Sequence, residues 1–204
     1  IFFEEKTHEI RRIHPDPNQI QKAAEKLKNS SQPIIIAGGG VLYSEAEKVI
    51  SDFAKKHNIP VTATVMGIGC MSKYDPYYIS AIGCLGEGSS NNLSKATDLA
   101  LAVGTKLSDF TTGSWTNFHN EDFELVSINT SRHDTTKHRA TPVVSDAKIG
   151  LMELSSVLGD WKAPDQWYRR SLQEKDKWDE YVTKQSGKTN KELPSYAQAV
   201  GAIY

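Results

Sequence analysis

Two glycine-bearing runs hold most of what this 204-residue sequence could use for chemistry. The first, Gly38-Gly39-Gly40, follows the apolar, β-branched run Pro33-Ile34-Ile35-Ile36-Ala37 and precedes a helical pattern. At such a turn an open α/β sheet brings backbone N–H groups within reach of a phosphate. The dinucleotide fingerprint needs a third glycine at position 43, where Tyr43 stands, and no ribose-binding acid closes the second strand. A tight strand-to-helix turn explains the three glycines as well as a bound nucleotide does. The second run, Gly104 to Trp115, follows the apolar stretch Leu99 to Val103 and mixes hydroxyls, a carboxylate and two aromatics. Its position after the fourth strand puts it near a topological switch point, where ligands bind in doubly wound sheets. The candidate residues are therefore Gly38, Gly39, Gly40, Gly104 and Thr105 for a nucleotide-like crevice, and Asp109, Phe110, Ser114 and Trp115 for a substrate pocket.

The remaining constellations are weaker. Gly67, Gly69, Gly83, Gly86 and Gly88 can wrap a ligand or simply turn loops at a sheet edge. His133 and His138, five residues apart, face different ways on a helix or a strand, so no metal site is expected. Neither a nucleophile-elbow G-x-S-x-G nor a P-loop occurs. No catalytic set is complete within the chain.

The elements that must position these residues follow from periodicity. Asp16-Pro17-Asn18-Gln19 is a helix start, and Ile20, Ala23, Ala24 and Leu27 share one face of the helix after it. Ser44 with Glu47 predicts a second helix running to Asn58. Strands are expected at 33–37, 60–65, 78–82, 99–103, 125–128 and 142–144, with helices near 91–96 and over 146–158. Strands alternating with helices imply a doubly wound, Rossmann-like α/β domain with a parallel sheet over 16–160. Residues 1–15 read as an incoming linker and 161–192 as a helical linker whose stripe of Trp167, Tyr168, Leu172, Trp178 and Val182 needs a partner surface. Residues 193–204 read as the start of a further domain. Twenty-four basic against 25 acidic residues argue against nucleic acid as a partner, two cysteines argue against a disulfide scaffold, and no apolar run suits a membrane span. A cytoplasmic location is expected.

The order of four segments resembles a known family. Residues 33–40, Asp98-Leu99-Ala100-Leu101-Ala102-Val103-Gly104, Val126-Ser127-Ile128-Asn129 and Val144-Ser145-Asp146-Ala147 are similar to the central domain of thiamine diphosphate-dependent enzymes of the acetohydroxyacid synthase type. Leu193-Pro194-Ser195-Tyr196-Ala197-Gln198 resembles the start of that family's third domain. The run Asp109 to Thr116, with Lys137-His138-Arg139-Ala140, looks most like the branch of trihydroxycyclohexane-1,2-dione hydrolases of myo-inositol breakdown.

The resemblance implies a six-stranded parallel sheet, a homodimer or homotetramer, and thiamine diphosphate with Mg²⁺ held by pyrimidine-binding and diphosphate-binding domains outside this chain. It also implies ring opening by hydrolytic C–C cleavage to 5-deoxyglucuronate, with this chain as an inactive scaffold. Phe110 stands where acetohydroxyacid synthases carry an Arg that reads a carboxylate, which favours a neutral small-molecule substrate. Gly67-Ile68-Gly69 and Ser131-Arg132 depart from the family's Gly-Lys-Gly and Asp-Pro, so neither FAD nor ADP is expected. A carboligase of the acetohydroxyacid synthase type and a stand-alone nucleotide-binding module are the alternatives.

Overall fold

A computed structural model of the chain describes residues 3–5, 11–189 and 192–203. Of the segments read as linkers and as the start of a further domain, residues 1, 2, 6–10, 190, 191 and 204 lie outside the described residues. In chain order the elements are α1 (Pro17–Asn29), β1 (Pro33–Ala37), α2 (Gly39–Tyr43), α3 (Glu47–His57), β2 (Val61–Ala63), β3 (Tyr78–Ala81), α4 (Gly88–Ala96), β4 (Leu99–Val103), α5 (Asp109–Thr112), β5 (Glu124–Asn129), α6 (Arg132–Thr136), β6 (Thr141–Val144), α7 (Ala147–Leu158), α8 (Asp165–Ser186) and α9 (Tyr196–Gly201). The six strands form one parallel sheet in the order β3-β2-β1-β4-β5-β6. This is the expected doubly wound α/β fold, with every expected strand present.

Two apolar layers cover the sheet. Ile35 and Ala37 of β1 face a cluster built with Ile20, Leu27, Phe53 and Leu154 from α1, α3 and α7. Ile34 and Ile36 face the other side, with Leu93 of α4 and Trp167 of α8. β1 and β4 are buried along their whole length, which explains their unbroken apolar sequence. Three residues of the expected stripe on α8 find partners here: Trp167 Nε1 donates to Pro33 O at 2.7 Å, Tyr168 stacks on Tyr77 at 4.4 Å, and Trp178 lies against Gly88, whereas Val182 is exposed. The helix begins at Asp165, after Pro164, rather than at Trp161.

One expected helix start is corrected. Ser44 does not cap the second helix; it closes the short α2, and α3 begins after Ala46, which makes no side-chain cap. Glu45 breaks the two apart in the left-handed region at φ 51°. The Ser44 hydroxyl instead donates to Asp146 Oδ1 at 2.7 Å, and Arg12 Nη1 reaches Ser44 O at 2.6 Å and Asp146 Oδ2 at 3.0 Å. Asp146 also caps α7 through the N–H groups of Lys148 and Ile149. Burial alone would raise the Asp146 carboxyl, but the bonds from Ser44, Ile149 and Arg12 hold it below the usual carboxylate range.

The Asp146 contribution to stability is present above the ordinary carboxylate value and is lost as pH falls through the lower, folded value. Asp146→Asn is expected to lower stability by about 2 kcal/mol at pH 7, and the gap to the parent chain should close in acid below about pH 4. Urea melts at several pH values measure both. Gly104, at φ +60° and with a Cβ that would lie 2.6 Å from Gly40 Cα, should tolerate no side chain. Gly104→Ala is expected to destabilise by about 3 kcal/mol, and Gly69→Ala, strained but sterically open, by about 1 kcal/mol.

Candidate functional site

β1 and β4 are neighbours, yet the chain leaves β1 toward β2 on one side and β4 toward β5 on the other. Loops diverging from adjacent strands leave a crevice at the carboxyl edge of the sheet. A cleft of about 720 Å³ lies there, within the usual range for small-molecule sites.

Its floor is made by the two glycine runs. Gly38 N–H donates to Val103 O at 2.8 Å, Gly40 N–H to Gly104 O at 2.9 Å, and Gly104 N–H to Ile128 O at 2.8 Å. A side chain on Gly38 would run into Gly104 O and Thr105 Cβ, and one on Gly40 would meet Gly104 Cα at 2.6 Å. The absence of side chains is thus required by the protein's own backbone: the loop after β1 packs directly on the loop after β4. The next helix, α2, has only five residues. Gly39, Gly40, Gly104 and Thr105 line the cleft and Gly38 lies behind them. Thr105 is buried; its carbonyl accepts from Asn129 Nδ2 at 3.2 Å and its hydroxyl from Leu107 N–H at 3.3 Å.

Of the residues expected to meet substrate, Phe110 lines the cleft and is 66% exposed. It sits on the one-turn α5, whose Thr111 and Thr112 turn inward and leave Phe110 facing out. The loop after β3 supports that turn from behind, because Cys84 N–H donates to Phe110 O at 2.8 Å and Gly83 leaves no room for a Cβ beside it. Asp109 and Ser114 are exposed and do not line the cleft. Trp115 turns away, packing its ring on His138 at 4.6 Å and on Phe118 at 5.6 Å. Leu107, Ser114, Trp115, His138 and Arg139 all have φ between 50° and 67°, so the loops after β4 and β5 meet in a strained arrangement.

Sequence reasoning missed the apolar part of the lining. Tyr43, Met66 and Leu85 are 80%, 68% and 70% exposed and border the cleft beside Val65. Their shared signal is position, since each lies a few residues past the carboxyl end of β1, β2 or β3. On the β5 side the lining is polar: Asn129, Thr130, Ser131 and Asp134. Burial would raise the Asp134 carboxyl, yet Lys137 and Ser131, with Lys106 nearby, keep it below the usual range. Burial and the Lys137 charge push the His138 imidazole down. Among the described residues no group of three or more His, Cys, Asp or Glu is placed to hold a metal ion.

Comparison with known proteins agrees with this architecture. The family model described as "Thiamine pyrophosphate enzyme, central domain" matches residues 20–154. Curated proteins named "3D-(3,5/4)-trihydroxycyclohexane-1,2-dione hydrolase" are similar to the chain. That of Geobacillus thermodenitrificans (strain NG80-2) is 32% identical over 98% of the chain and 33% of its own length. That of Clostridium botulinum (strain Alaska E43 / Type E3) is 40% identical over 77% of the chain and 24% of its own length. The chain thus spans a quarter to a third of the curated relatives it matches. With its sheet order, its crevice and a family match over most of its length, this chain belongs to the thiamine pyrophosphate enzyme central-domain family.

Proposed function

We propose that the chain is the central, non-catalytic scaffold of a longer thiamine diphosphate-dependent hydrolase. The long protein opens the ring of 3D-(3,5/4)-trihydroxycyclohexane-1,2-dione by C–C cleavage to 5-deoxyglucuronate in myo-inositol catabolism. Pyrimidine-binding and diphosphate-binding domains of the same polypeptide hold the cofactor and its Mg²⁺, and the whole works as a cytoplasmic homodimer or homotetramer. The names of the relatives support this assignment.

The residues of this chain do not themselves fit the cofactor. Gly38 and Gly40 have their N–H groups bonded to Val103 and Gly104 carbonyls, and the Gly104 backbone fills the space a diphosphate would need against them. The carboxylate that lines the cleft, Asp134, is paired with Lys137 at 2.9 Å. No chemical step is therefore routed through this chain. Its part is to shape one wall of the substrate chamber and to limit water there, as loops on a rigid scaffold do. Neither FAD nor ADP is needed for that.

Phe110 carries the reading. An uncharged ring stands on the cleft rim, and the resemblance to acetohydroxyacid synthases implies an Arg at this position in those keto-acid enzymes; a neutral cyclic diketone requires no cation there. In this reading Phe110 meets the substrate, while Asp109, Ser114 and Trp115 fix the loop that carries it.

Calorimetry on the long polypeptide should show Mg²⁺-dependent thiamine diphosphate binding, and the 204-residue chain should show none and open no ring. Tight binding by the short chain would overturn the division of labour. In the long protein, Phe110→Arg should lower kcat/KM for the diketone at least about tenfold, or ~1.4 kcal/mol, with cofactor affinity unchanged. Formation of acetolactate from pyruvate by the parent protein would instead identify a carboligase.

A further inference from the structure

α4 opens with Gly88-Ser89-Ser90-Asn91-Asn92, five residues that favour turns and caps over a helix interior. Tertiary contacts hold it instead. Leu93 is fully buried in the cluster of Ile34, Ile36 and Ile82, the hydroxyls of Ser89 and Ser90 both bond to that of Ser80 on β3, and Trp178 of α8 covers Gly88. The half-buried Asn91 stands on this fixed platform. Its Oδ1 accepts from Gly83 N–H at 2.9 Å and its Nδ2 donates to Gly83 O at 3.0 Å, so one planar amide closes on both polar groups of a single residue. Oδ1 also accepts from Asn117 Nδ2 at 3.2 Å.

Both contacts lead to α5, the turn that carries Phe110. Gly83 stands at φ +104°, and a Cβ there would lie 2.1 Å from Phe110 O, so a glycine is needed for the loop after β3 to close on the turn. The next N–H, that of Cys84, donates to Phe110 O at 2.8 Å. Farther along the turn, Asn117 N–H donates to Thr112 O at 3.3 Å. A four-residue helix has no stability of its own, so its outside ties decide where its residues stand. These two lines of bonds, one through Gly83 and Cys84 and one through Asn117, meet at Asn91. Asn91 itself does not line the cleft.

We infer that Asn91 is the positioning residue of the cleft rim: its amide, by holding Gly83 and Asn117 together, sets where the Phe110 ring stands against the substrate. This rests on the reading of Phe110 as the residue that meets the diketone. Asn91 touches no reacting atom. Its part is to pass the rigidity of α4 on to a single turn of helix, and without it the ring is free to leave its place. The loss falls on binding. A misplaced wall weakens the ground-state and transition-state complexes alike, which raises KM and spares kcat.

Two measurements on the long polypeptide test this. The first is hydrogen exchange followed by mass spectrometry, with cofactor and substrate both absent. In Asn91→Ala the amides of Gly83, Cys84 and Asn117 should exchange at least about tenfold faster than in the parent, and those of β1 at the parent rate. Leu93→Ala, which removes a buried side chain from the same helix but none of these bonds, should leave the three amides within about twofold of the parent. Should Asn91→Ala not fold, Asn91→Asp takes its place in both measurements, since it keeps the shape and the acceptor but sets an oxygen against Gly83 O. The second is steady-state kinetics with the diketone. Asn91→Ala should raise KM at least about threefold with kcat within about twofold, and Leu93→Ala should change neither. In a Phe110→Ala background the Asn91 substitution should add nothing, because the ring it positions is gone. Parent-like exchange in the Asn91 variant would overturn the proposal. So would an equal rise in KM with and without the Phe110 ring, or a matching change in Leu93→Ala. A parent polypeptide that opens no ring would instead end the proposed function, and the exchange rates would still decide whether Asn91 holds the turn.

Discussion

The backbone contact between Gly40 and Gly104 sets the geometry of the whole carboxyl edge. β1 and β4 are the central strands, and the loops that leave them have to diverge to build a sheet in both directions. At the point of divergence they still touch, with Gly40 N–H bonded to Gly104 O and no space for a Cβ on either residue. Had either position carried a side chain, the loops would be pushed apart and the bond from Gly104 N–H to Ile128 O would be strained with them. The cleft is what remains above this contact. Its position follows from topology, and its depth follows from how closely two peptide backbones can approach.

The rim inherits its order from that floor. Thr105 and Asn129 tie the β4 loop to the end of β5, and Cys84 N–H ties Phe110 to the loop after β3. Consecutive loops along the edge therefore brace each other, and Phe110 is presented by a turn fixed from two sides. The ends of the domain are held by different chemistry. A charged clasp of Arg12, Ser44 and Asp146 fixes the incoming segment, and aromatic packing of Trp167, Tyr168 and Trp178 fixes the outgoing helix. A guanidinium held by a carboxylate and a carbonyl defines direction well, whereas three rings spaced along a helix define its axis.

What was legible in the sequence was the part that repeats. The buried strands read as unbroken apolar runs, and α1 shows its buried face and its capping aspartate directly, because burial and capping act on neighbours along the chain. Ser44 shows where that reading breaks down. Its spacing to Glu47 is that of a capping box, but the hydroxyl is claimed by Asp146, a residue 102 positions away, and no local pattern announces such a competitor. The cleft was half legible for a similar reason. Glycines and hydroxyls after β1 and β4 stand out by type. Tyr43, Met66 and Leu85 stand out only once the strands are placed side by side, since an exposed apolar residue is unremarkable until its neighbours are known. Trp115 is legible by type alone: an aromatic in a polar loop suggests a ligand, and no local pattern announces that its ring packs on His138, Phe118 and Phe123.

The strand order is that of dinucleotide-binding domains, and the separation of fold from ligand is visible atom by atom. Such domains bind a diphosphate because the first loop leaves N–H groups free at the start of a long helix and lets the ligand approach a bare Cα. Here the same glycines occupy the same place in the topology, yet the N–H groups of Gly38 and Gly40 are bonded within the sheet edge, and the bare Cα of Gly40 faces the bare Cα of Gly104. In place of a long helix there is a single short segment ended by Ser44 and Glu45, and the N–H groups at the start of α7 are taken up by Asp146. The ingredients of anion binding have been turned into internal structure. What the edge offers outward is an apolar rim, and an apolar rim on a rigid sheet is suited to bounding a chamber that other parts of a polypeptide complete.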